Sequence, residues 1–137
     1  MKNESRYEAK RWFKQAKADL KTVEVLIQGE RYYMACFLSQ QVAEKALKSF
    51  LHEKGEEFIY GHSISKLCLQ CAEYDDSFKR LRSEIKNLDQ FYIEARYPNG
   101  LPDDIPAEFF DKKDADHAYE KASKAVAFVD KLIHILD

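Results

Sequence analysis

The stretch Gln40-Gln41-Val42-Ala43-Glu44-Lys45-Ala46-Leu47-Lys48-Ser49-Phe50-Leu51 decides the fold. Read as a helix with the residues before it, it carries an apolar stripe of Tyr33, Cys36, Phe37, Leu47 and Leu51 at helical spacing. Gln40 and Glu44 fall in the middle of that stripe rather than on its back. A carboxylate on a buried face is costly unless something pairs with it. The chain must therefore supply a partner, or the two residues sit at a solvated rim. The nearest candidate in the second half is the run Tyr92-Ile93-Glu94-Ala95-Arg96-Tyr97-Pro98.

Outward from this centre, glycine and proline punctuate long helical patterns. A first helix is expected from about Glu4 to Gln28, with Trp12, Phe13, Ala16, Leu20, Val23 and Ile27 on one face and Gly29 as its stop. The second runs from about Arg31 to Lys54 and stops at Gly55. The short Gly29-Glu30 link makes the two an antiparallel hairpin. After a loop, Ser63 is a natural N-cap for a short third helix carrying Ile64, Leu67, Cys68 and Cys71. Asp75, Asp76 and Ser77 suit the start of a fourth, continuous to about Tyr97, whose stripe is Phe78, Leu81, Ile85, Leu88, Tyr92 and Ala95. Pro98 ends it, since the residue before a proline avoids helical angles. A fifth helix begins near Asp111 to Asp114, with Ala115, Ala118, Tyr119, Ala122, Val126, Val129, Ile133 and Leu136 aligned. The expectation is one all-α domain over residues 1–137: an up-and-down four-helix bundle with an additional short helix.

Composition narrows the function classes. The 137 residues are 45% hydrophobic and 34% charged, a globular balance. A net charge of −2 leaves no global basic field, so any nucleic-acid contact must be local. No apolar run approaches a membrane span, and the Met1–Lys14 stretch lacks the apolar region of a signal peptide. Three cysteines, an odd number, read as reduced thiols of a cytoplasmic protein.

Few motifs carry chemistry. Cys68-Leu69-Gln70-Cys71 is a CxxC, but a zinc site needs two more ligands and the chain has no second CxxC and no HxxxH. Both cysteines fit the core face of the third helix, so no metal is expected. Phosphate-loop and dinucleotide glycine patterns are absent, and no cofactor is expected. His52, His62, His117 and His134 are scattered; His62, between Gly61 and the Ser63 cap, suits a loop-holding role more simply than a catalytic one.

Three blocks together resemble the HEPN family, small helical domains of prokaryotes and higher eukaryotes linked to nucleotide binding. They are the opening helix from Trp12 to Leu26, the run Gln41 to Lys48 followed by His62-Ser63-Ile64-Ser65-Lys66-Leu67, and Tyr92 to Pro98. The resemblance implies a four- or five-helix bundle and a homodimer. It also implies action beside a minimal nucleotidyltransferase, often as a toxin–antitoxin pair. Some relatives in the family are metal-independent RNases with an arginine followed, four to six residues later, by histidine. Here Arg96 matches the arginine, but Asn99, Gly100, Leu101, Pro102 and Asp103 follow and the next histidine is His117. RNase activity is therefore not carried over.

The residue reading and the resemblance meet at Glu44, Lys48, His62, Tyr92, Arg96 and Tyr97. Arg96 is expected to neutralise Glu44, directly or through Tyr92 or Tyr97, and so lock two helices. The alternative is that it presents its fork to a phosphate, with tyrosines stacking on a base. The expected function is a non-catalytic module for nucleotide or RNA binding and partner interaction. The alternative is a ribonuclease in which His62 replaces the missing histidine. Apolar residues outside the stripes support a dimer: Tyr32, Phe50, Phe91, Tyr97, Leu101, Ile105, Phe109 and Phe110.

Overall fold

A computed structural model describes residues 2–133; Leu136, aligned with the last helix's stripe, and His134, one of the scattered histidines, lie outside them. Among the described residues there is helix and no strand. The elements are α1 (Lys2–Gln28), α2 (Tyr32–Glu53), α3 (Ile64–Ala72), α4 (Phe78–Ile85), a 3-10 segment (Lys86–Gln90), α5 (Phe91–Glu94), a 3-10 turn (Pro98–Gly100), α6 (Pro106–Phe109) and α7 (Lys112–Ile133). No helix among these residues is long and apolar enough to cross a membrane.

Helix α2 is the centre of the molecule and packs against α1, α3, α5, α6 and α7. Its buried face is wider than one stripe, taking in Ala35, Cys36, Val42, Ala43, Ala46, Leu47, Phe50 and Leu51. Around it gather Phe13, Ala16 and Val23 of α1, Leu67 and Cys68 of α3, Leu81 and Ile85 of α4, and Ala118, Ala122 and Val129 of α7. All three cysteines are buried and free. Cys71 donates to the Leu47 carbonyl at 3.7 Å, so the CxxC pair packs into α2 as apolar side chains do. Burial pushes the Cys36 and Cys68 thiols up to about 12, and raises Cys71 further still.

The helix ends show which signals were sufficient. Gly55, at φ 78°, ends α2 in the left-handed conformation that glycine adopts freely. Its N–H reaches the His52 carbonyl, and that of Glu56 reaches Leu51. At the end of α1 the same pattern is displaced by one residue. Glu30, not Gly29, takes the left-handed position at φ 61°, with Arg31 N–H bonded to Leu26. Ser63 caps α3 as expected, accepting from Lys66 N–H at 3.2 Å. Ser77 does not cap α4; its N–H and hydroxyl both turn back to Asp75. Asp111 and Asp114 exchange backbone N–H to carboxylate bonds at 3.0 Å and open α7.

The expected continuous fourth helix is broken. Its middle, Lys86–Gln90, winds as 3-10 helix, and α5 lasts four residues. Beyond the break Phe91 takes the core position expected of Tyr92, which is half-buried. Phe91 packs edge-on against Phe110 at 5.6 Å. Phe50, Phe91 and Phe110 are thus absorbed within one chain, contrary to their expected place in a dimer patch. Ile93, Tyr97, Ile105 and Phe109 are left exposed.

Candidate functional site

Gln40 and Glu44 are both buried, and the structure shows what occupies them. Gln40 Nε2 donates to the backbone carbonyl of His62 at 2.6 Å. Glu44 brings its oxygens to 3.1 and 3.2 Å from Nδ1 of the same histidine. One turn of α2 therefore grips His62 twice, once by its main chain and once by its ring. Lys48, a turn further on, donates to Glu44 at 3.1 Å and is the carboxylate's cation; Gln41 adds a longer contact at 3.3 Å. The Glu44 side chain is 5% exposed and that of Lys48 10%, whereas that of His62 is 53% exposed. A carboxylate only accepts, so Nδ1–H of His62 donates to Glu44, and Nε2 is the ring nitrogen this contact leaves unused.

The expected Glu44–Arg96 ion pair is not formed. The side chain of Arg96 instead folds back on its own helix, with Nε donating to the Tyr92 carbonyl at 2.6 Å. Its guanidinium lies among three rings, 4.4 Å from the centroid of Tyr92, 4.7 Å from Phe37 and 5.0 Å from Tyr97. Among the described residues no carboxylate pairs with it. The six expected residues thus form two groups: Glu44, Lys48 and His62 on one side, Tyr92, Arg96 and Tyr97 on the other. They meet at one stack, where the His62 and Tyr92 rings lie 4.7 Å apart and 17° from parallel. His62 and Arg96 consequently pack on the same tyrosine, not at opposite ends of the bundle.

Sequence reading missed Asp89. From the 3-10 segment its carboxylate accepts from Ile64 N–H at 2.6 Å, Ser65 N–H at 3.1 Å and the Ser63 hydroxyl at 3.1 Å. This holds the start of α3, and with it the segment carrying His62, against the 3-10 segment. A shallow groove of about 220 Å³ results, lined by His62, Ser63, Asp89, Tyr92 and Ile93. No local signal marks such a cap, because the acceptor lies some 25 residues beyond the N–H groups it serves.

On the opposite flank of Lys48, its ammonium sits 5.6 Å from the Trp12 ring, which stacks on His52 at 5.5 Å. Burial lowers the His52 pKa below its ordinary value; Glu8 opposes that shift and Lys48 adds to it.

Comparison with known proteins agrees with this architecture. The HEPN domain model matches residues 9–132. A protein of Methanocaldococcus jannaschii named "Putative toxin MJ1304" is 28% identical over 130 residues, covering 88% of this chain and 85% of its own. The crystal structure of TT1696 from Thermus thermophilus superposes with a TM-score of 0.83 at 34% identity, covering 90% of this chain and 97% of that one. That of ST0689, described as an archaeal HEPN homologue, gives 0.70 at 35% identity, covering 92% and 98%. With the family model matched across nearly its whole length, the chain belongs to the HEPN domain family.

Proposed function

We propose that the protein is the HEPN half of a toxin–antitoxin-like pair, a non-catalytic module that binds a nucleotide or RNA phosphate at Arg96. Its partner on this reading is a minimal nucleotidyltransferase, and the module self-associates as a homodimer. One observation carries the binding reading. Arg96 is held by the Tyr92 carbonyl and the rings of Phe37, Tyr92 and Tyr97, has no carboxylate partner among the described residues, and stands beside exposed Tyr97. A guanidinium so placed has its terminal N–H fork free for the two oxygens of a phosphate, and the tyrosine offers a face to a base. The toxin name of the archaeal relative supports the paired role. The exposed Ile93, Tyr97, Ile105 and Phe109 support an apolar contact with a second copy. Fluorescence anisotropy with a labelled single-stranded oligonucleotide tests the binding. Saturable binding by the wild type that Arg96→Ala abolishes is expected; equal binding by both proteins would refute the site.

A second reading is favoured by the shared Tyr92. With His62 and Arg96 on one ring, a base and a phosphate ligand stand together, as a metal-independent ribonuclease requires. No cleavage of single-stranded RNA by the purified protein is expected on the first reading. Cleavage lost in both Arg96→Ala and His62→Ala would establish the second.

A further inference from the structure

His62 is built with more care than holding a loop requires. Two buried polar side chains of α2 are committed to it, Gln40 on its carbonyl and Glu44 on Nδ1, and Lys48 neutralises Glu44. Stacking on Tyr92 fixes the remaining freedom of the ring. The loop itself is already anchored by Asp89, through three bonds to Ser63, Ile64 and Ser65. What the extra machinery achieves is a ring of fixed orientation, Nδ1 engaged and Nε2 left unused, on a side chain 53% exposed.

The surroundings say what that ring borders. The groove beside it is lined by Ser63, Asp89, Tyr92 and Ile93. The Asp89 carboxylate is taken up by three hydrogen bonds and the groove lining holds no lysine or arginine, so the cation for a phosphate is Arg96 on the same tyrosine. A nucleotide strand crossing Tyr92 would therefore place its phosphate towards Arg96 and a neutral sugar towards His62. With Nδ1–H donated to Glu44, Nε2 is the ring nitrogen left to accept, and a ribose 2′-hydroxyl supplies the matching donor. Deoxyribose has none, and the 2′-hydroxyl is the group by which a protein distinguishes RNA from DNA.

We infer that His62, positioned by Glu44, is the sugar-reading residue of this site, making it selective for single-stranded RNA over DNA of the same sequence. The inference rests on the proposed phosphate contact at Arg96, and the test separates the two. Anisotropy is measured at pH 8 with a labelled hexamer of uridine, its 2′-deoxy counterpart and its 2′-O-methyl counterpart. The wild type is expected to bind RNA about 10-fold more tightly than either analogue, the gain of one well-placed hydrogen bond to a hydroxyl. His62→Asn keeps an amide to donate to Glu44 but has nothing at the Nε2 position. It is expected to bind all three alike, at the wild-type affinity for DNA. His62→Phe, which keeps the stack on Tyr92, should do the same, so one misfolded variant does not decide the matter. Glu44→Gln should reduce the preference without removing binding, the mark of a positioning residue. Arg96→Ala should weaken all three ligands equally. Equal affinity of the wild type for RNA and DNA, with Arg96→Ala still abolishing both, would overturn the sugar-reading role and leave the phosphate site standing. Absence of binding by the wild type would overturn both.

Discussion

Replacing Glu44 by alanine removes the anion on which Lys48 and His62 converge. The consequence follows from burial. The Lys48 side chain is 10% exposed and has Glu44 at 3.1 Å. Breaking a buried pair by removing one partner costs about 3–5 kcal/mol, because the survivor is left charged in a poor solvent. Lys48 retains its place against Trp12 and lies within reach of the rim, which puts the expected loss at the lower end, about 3 kcal/mol. In urea, at fixed protein concentration, this moves the unfolding midpoint down by roughly 1.5 M for an m-value near 2 kcal/mol/M. The double variant Glu44→Leu with Lys48→Met removes both charges and should recover to within about 1 kcal/mol of the wild type, since apolar replacement of a buried pair is near neutral. A loss below about 0.5 kcal/mol for Glu44→Ala would mean the pair behaves as an exposed one, and the burial argument would fail. A double variant as unstable as the single would show that Lys48 is not the group left stranded.

Other consequences are open to direct measurement. Native protein at pH 8 should leave Cys36, Cys68 and Cys71 unreacted with a thiol reagent, with full reaction only in denaturant, because burial and raised pKa values both suppress the thiolate. With the folded-state pKa of His52 lowered, the unfolded chain takes up the proton first as pH falls below its ordinary 6.5. Stability should therefore decline beneath that pH, and a melting series should show a shallower decline in His52→Phe. Glu30→Gly should raise the unfolding free energy by about 0.5–1 kcal/mol, since φ 61° suits glycine better than glutamate; a loss of stability would deny that strain. Sedimentation at micromolar concentration should give a dimer mass, and Phe109→Glu should give a monomer.

Much of the bundle is legible in the sequence because its signals are local. The stripes of α1 and α7, the Gly55 stop and the Ser63 cap each depend on residues within a few positions of one another. The site was half legible. The pattern marks Gln40 and Glu44 as polar residues in an apolar face, and both are indeed buried. Their partner is not the arginine of the second half but His62, delivered by a loop whose path periodicity cannot describe. The same limit hides Asp89, whose service to α3 is visible only in three dimensions. Arg96 reads as a counter-ion because it is a cation near an acid in a bundle. The rings of Phe37, Tyr92 and Tyr97 hold it elsewhere.

The break in the fourth bundle segment has an angular consequence. An α-helix turns about 100° per residue and a 3-10 helix about 120°. Across the five residues Lys86–Gln90 the excess comes to about 100°, the step of one α-helical residue. The segment advances the residues that directly follow it by about one position, without an added amino acid. Directly after it Phe91 takes the inward place that the unbroken stripe gives Tyr92, and by Ala95, buried as that stripe expects, the shift is gone. Had the helix stayed regular, Tyr92 would face the interior and neither His62 nor Arg96 could use its ring. Five overwound residues thus convert a core tyrosine into the surface on which the two halves of the site join.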